Sequence, residues 1–138
     1  MKISSIKTNT AKVEAGIWVT DIPDFEGVRL KVRPTGNPDF RQLYSQLVES
    51  TPRHLKRGGV VKDYDTKVAI NARCLADTVL LDWEGFEDDD GKPVKYTPEL
   101  AKQWLQDPEM TAFRDAVSWC GSVAEEETRV GFEENSGN

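Results

Sequence analysis

A chain of 138 residues, 38% hydrophobic and 30% charged, is one domain long and carries enough apolar side chains to bury a core without a cofactor or disulfide. Its formal net charge of −6 sets up a field that repels phosphate backbones and anionic lipid headgroups, which makes nucleic acid and membrane surfaces poor partners. No run approaches the roughly 18 apolar residues of a membrane span, and the first ten residues, with lysines and no apolar core, do not read as a signal peptide.

Residues 15–34 predict a β-hairpin. β-branched residues flank the turn Pro23-Asp24-Phe25-Glu26-Gly27, and the second arm alternates Val28, Leu30 and Val32 with Arg29, Lys31 and Arg33 until Pro34 ends it. Asn37-Pro38-Asp39 then starts a helix, with Asn37 as N-cap, proline at the first helical position and an acid favoured by the helix dipole. Phe40, Leu43, Tyr44, Leu47 and Val48 follow at helical spacing, and Thr51-Pro52 closes the helix near Ser50. Gly58-Gly59 marks a loop, and the basic cluster Arg53, His54, Lys56 and Arg57 beside it reads as a solvated loop surface.

The longest helix is expected over residues 64–82, with Val68, Ala72, Leu75 and Val79 on one stripe and Ala69, Ala76 and Leu80 beside it. Residues 83–96 are polar, contain an Asp-Gly turn signal and predict a short extended excursion or hairpin. Thr97-Pro98-Glu99 and Asp107-Pro108-Glu109 each place a capping oxygen, a proline and a first-turn acid in order, which predicts helices over residues 98–106 and 108–126. In the second, Phe113, Val117, Cys120 and Ala124 share one stripe, and Ala112, Ala116, Trp119 and Val123 the next. Cys74 and Cys120 continue apolar stripes, where reduced cysteine behaves as a small hydrophobe, and this implies a cytosolic setting. The end of the chain is polar and glycine-punctuated and reads as a frayed tail.

Catalytic and metal constellations fail residue by residue. Asp88, Asp90 and Gly91 match the third, fifth and sixth positions of an EF-hand loop, but Phe86 falls at the first ligand position and Thr97 at the twelfth, where the bidentate glutamate is needed. His54 is the sole histidine and has no nucleophile with an orienting acid near it in sequence. One histidine and two cysteines 46 residues apart contain no zinc-ligand pair, and the glycines do not form a phosphate loop. No enzyme activity, metal or cofactor is therefore expected. Trp83, Phe86, Tyr96, Trp104 and Trp119 concentrate aromatic mass in the second half, where core packing and a partner-binding groove both account for them.

Leu80-Leu81-Asp82-Trp83-Glu84-Gly85-Phe86, the turn Asp90-Gly91-Lys92-Pro93-Val94-Lys95-Tyr96-Thr97-Pro98-Glu99 and the helix start Asp107-Pro108-Glu109 with Phe113 resemble tail assembly chaperones of long-tailed, siphovirus-type bacteriophages over residues 67–134. The resemblance implies a protein that binds the tape measure protein, and with it the tail tube protein, in the host cytoplasm during tail assembly and is absent from the mature virion. It offers no catalytic residues, and it leaves open a homo-oligomer. The alternatives are a structural or tail-completion protein of the virion, or a small phage protein that inhibits a host factor. The expected architecture is mainly α within an α+β class. A β-hairpin region (1–36) precedes a helical bundle of four to five helices (37–126) in one domain (1–132), and a flexible tail covers residues 127–138.

Overall fold

In the computed structural model, which describes residues 1–129, alternation along the second hairpin arm produces the strand it predicts. β1 (Ile17–Val19) pairs antiparallel with β2 (Arg29–Val32), Ile17 opposite Val32 and Val19 opposite Leu30. Leu30 and Val32 are fully buried, whereas Arg29 on the other face lies over the Trp18 ring at 4.2 Å and donates to Glu84 at 2.6 Å. A six-residue helix unforeseen in the sequence, α1 (Thr10–Ala15), leads into β1, capped by Asn9, whose side chain accepts from the Lys12 amide.

The two-stranded hairpin is completed by a third strand that takes in the last three residues of the expected helix and runs into the segment expected to be extended. α2 (Pro38–Ser50) and the short hairpin strands β3 (Lys56–Arg57) and β4 (Val60–Val61) precede α3, which runs Tyr64–Thr78 and stops four residues short of the expected end. Leu80–Glu84 is β5, antiparallel to β2, in the order β1-β2-β5. The helix ends where a side chain of its last turn and an amide from beside the sheet take up its final carbonyls. The Thr78 hydroxyl turns back onto the Cys74 carbonyl, and the Val79 carbonyl accepts from the Arg33 amide beside β2. The register slips between Lys31 and Val32, because Lys31 faces Asp82 while Val32 faces Leu80, and Leu81 is the extra residue of a β-bulge. The chain turns sharply after β5 at Gly85, with φ of 101°, where a Cβ would sit 2.9 Å from the Val28 Cα and closer still to the Gly27 carbonyl oxygen, so only glycine fits.

The predicted start of α2 is realised, and Asn37 does more than cap it. Its Oδ1 accepts from the Phe40 amide at 2.8 Å, while Nδ2 donates to the Pro34 carbonyl at 2.7 Å and the Thr78 carbonyl at 3.0 Å. One side chain, 2% exposed, thus joins the exit of the sheet, the start of α2 and the end of α3. Asn37→Ala orphans the Phe40 amide and the Thr78 carbonyl and leaves the Pro34 carbonyl only its backbone bond from the residue-37 amide, so it is expected to cost about 2–4 kcal/mol in chemical denaturation, more than the roughly 1 kcal/mol of an ordinary cap. Asn37→Asp, which keeps the acceptor but sets a carboxylate against both carbonyls, should be no better; a loss under about 1 kcal/mol would show the network to be dispensable.

At the other end of α2 the basic loop has a structural use, since Lys56 Nζ donates to the Val48 and Glu49 carbonyls, both 3.1 Å away, at the negative pole of the helix. Gly58 and Gly59, with φ of 59° and 80°, form the two-residue turn between β3 and β4 that their positive dihedrals favour. α2 and α3 enclose a small cluster of Val61, Ile70 and Cys74 with Phe40, Leu43, Leu47 and Val48.

α4 (Pro98–Gln106) is capped by Thr97, as its sequence requires. Asp107 caps a 3-10 turn, Pro108–Met110, which precedes α5 (Thr111–Glu127), the longest helix among the described residues. Phe113, Val117, Cys120 and Ala124 of α5 are buried in the main core with Leu30, Val32, Leu75, Leu80 and Leu105. The architecture is α+β, helices packed on a three-stranded sheet, and the hairpin is part of the core rather than an appendage. Order extends past the expected tail boundary at 127. Thr128 is 1% exposed, its hydroxyl donating to Ala124 and its carbonyl accepting from the Asn9 amide, and Arg129 bridges Thr8. The rest of the expected tail, residues 130–138, lies outside the described residues. No helix among the described residues is long and apolar enough to cross a membrane.

Candidate partner-binding surfaces

The bulge at Leu81 decides where the aromatic residues go. By letting Leu80 and Trp83, three apart, both face inward, it seats the Trp83 indole flat on Trp104, centroids 4.5 Å apart and planes within 3°. Phe86, Tyr96 and Phe113 meet this pair edge-on at 5.1–5.9 Å, an arrangement that suits their ring quadrupoles. The Trp83 Nε1 donates to the Val94 carbonyl at 2.7 Å, and the residue is 3% exposed. Trp83 is thus a core residue and not the partner contact suggested by its acidic neighbours, which point away while the indole turns in. Phe86, Tyr96 and Trp104 are half-buried against the same core. The Tyr96 hydroxyl donates to the Leu80 carbonyl at 3.4 Å, and burial, with Asp82 and Glu99 nearby, raises its pKa. Four of the five candidate residues therefore form one cluster, whereas Trp119 stands apart, 40% exposed on α5.

The chemistry-bearing side chains are engaged elsewhere. Asp88 Oδ1 accepts from the Asp90 and Lys92 amides at 2.9 and 3.0 Å, holding its own turn closed. Burial pushes the Cys74 thiol up to about 11 and the Cys120 thiol up to about 12, so neither is a thiolate at neutral pH. His54 is exposed on a 3-10 turn, Arg53–Leu55.

Two of the recesses on the surface lie against exposed aromatic residues, Tyr64 and Trp119. One, of about 620 Å³, runs between α3 and the junction of α4 with α5, lined by Tyr64, Val68, Ala69, Ala72, Pro108 and Thr111 with Asp65, Gln106 and Arg114. Tyr64, at the first position of α3 behind its Asp63 cap, is 73% exposed. It was missed among the candidate residues, although an aromatic directly after an N-cap, where a helix has not yet closed on the core, is a readable sign. The other, of about 300 Å³, lies between the β1–β2 loop and α5, where Ile22, Pro23, Phe25, Ala112 and Ala116 surround Trp119 beside Asp24 and Asp115. Asp21 and Asp24 in that loop have φ of 54° and 67°, left-handed conformations that aspartate tolerates better than most residues.

The family model for the YdaY prophage protein matches residues 35–138, well over half of the sequence. The chain belongs to this family and is a phage protein. No curated protein and no solved structure matches it.

Proposed function

We propose that the protein is a non-catalytic tail assembly chaperone that binds the tape measure protein and keeps this long helical client soluble until the tail tube forms around it. The observation that carries this reading is the groove of about 620 Å³ between α3 and the α4–α5 junction, bordered by the exposed Tyr64. A trough with an apolar floor between packed helices suits an amphipathic client helix laid along it. Membership in a prophage protein family and the resemblance of residues 67–134 to tail assembly chaperones support the same assignment.

The test is co-expression with the tape measure protein encoded by the same phage. The parent is expected to hold it in the soluble fraction, and Tyr64→Ala combined with Ala69→Asp to weaken capture by about 1–3 kcal/mol while leaving the melting transition nearly unchanged, since both residues are exposed. A parent that neither binds nor solubilises the client sinks the assignment. Recovery of the protein from purified particles would instead make it a virion component, and capture of a host protein alone would make it an inhibitor.

A further inference from the structure

We propose that the protein self-associates, the 3-10 turn Ile3–Ile6 of one copy seating in the Trp119 groove of a second. Both halves of this contact expose apolar side chains, and the charges beside them are complementary. Ile3 and Ile6 are 71% and 66% exposed, and residues three apart in a 3-10 helix eclipse one another, so the two isoleucines stand on one side. Exposed lysines, Lys2 and Lys7, flank them. The groove offers the converse: an apolar recess of about 300 Å³ around a 40% exposed indole, with Asp24 and Asp115 beside it. Among the described residues neither acid has a salt-bridge partner.

Within one copy the turn is anchored away from the groove. None of residues 3–6 lines the groove, and the segment that follows the turn is tied to the end of α5 by the Thr8–Arg129 bridge and the bond from the Asn9 amide to the Thr128 carbonyl, nine residues or about 13 Å along the axis from Trp119. A second copy is under no such constraint. In a twofold pair each copy presents one turn and one groove, so the contact is made twice and closes. The net charge of −6 opposes indiscriminate association, and the local pairing of lysines with aspartates selects this orientation.

Sedimentation equilibrium of the full chain tests the idea, and a dimer is expected. Ile3→Ser/Ile6→Ser and, separately, Trp119→Ser should each weaken it at least about tenfold with the melting transition retained. Lys2→Glu/Lys7→Glu should also weaken it, and adding Asp115→Lys with Asp24→Asn, asparagine being suited to the left-handed backbone there, should recover much of the loss. The Tyr64 variant should dimerise like the parent, which separates this contact from client capture. A chain that stays monomeric at every concentration overturns the proposal, as does a dimer that none of these substitutions weakens. A monomeric parent whose client capture is lost in Trp119→Ser would assign the groove to the client instead.

Discussion

Leu75→Asp is expected to abolish the cooperative thermal transition. Leu75 is 1% exposed on α3 and belongs to the main core with Val79, Leu80 and Phe113. Aspartate there leaves a void and sets a carboxylate in an apolar cluster, a penalty of several kcal/mol against a total stability of about 5–15 kcal/mol for a domain. Circular dichroism against temperature reads the result directly, and Leu75→Met, which conserves volume, should cost under about 1.5 kcal/mol. A Leu75→Asp protein that melts like its parent would mean that this face of α3 meets solvent.

Trp83→Ala should be the most damaging truncation among the aromatic residues, at about 3–5 kcal/mol in chemical denaturation. The indole fills the space between β5 and α4, and its removal strips Trp104, Phe86, Tyr96 and Phe113 of the ring they pack against. Trp83→Phe keeps part of the packing but leaves the Val94 carbonyl without its donor, so an intermediate loss of about 1–3 kcal/mol is expected. Unchanged stability in Trp83→Ala would contradict the placement of this residue in the core.

What could be read from the sequence was what is local. Asn37-Pro38-Asp39, Thr97-Pro98-Glu99 and Asp107-Pro108-Glu109 start elements where cap chemistry says they should, because a capping oxygen satisfies amides two or three residues away. β5 was illegible for a specific reason. A regular strand buries alternate residues, but the bulge at Leu81 makes Leu80 and Trp83 both face inward, and a spacing of three is a helical spacing. Val79 and Leu80 also continue the stripe of α3, and what ends that helix is Arg33 beside β2, 46 residues back from Val79. The same bulge explains the candidate site. Trp83 among acidic neighbours has the look of a surface residue, and only the backbone geometry shows that its side chain is turned the other way. Trp119 and Tyr64 are exposed because their helices leave a face uncovered, and the periodicity of one helix does not reveal which neighbour is absent.

The pairing of β2 with β5 also sets an order of events at the ribosome. The inner strand of the sheet leaves the exit tunnel some 52 residues ahead of the end of its second neighbour, from Val32 to Glu84, and at ordinary synthesis rates it waits about 3–10 s. Through that interval Leu30 and Val32 belong to a two-stranded hairpin, an element of marginal stability in water, and the α5 stripe that covers them, from Phe113 to Ala124, arrives later still. The nascent chain is therefore held open until almost its last described helix emerges, and its folding is a late, nearly all-or-none closure rather than a stepwise growth from the amino-terminal side.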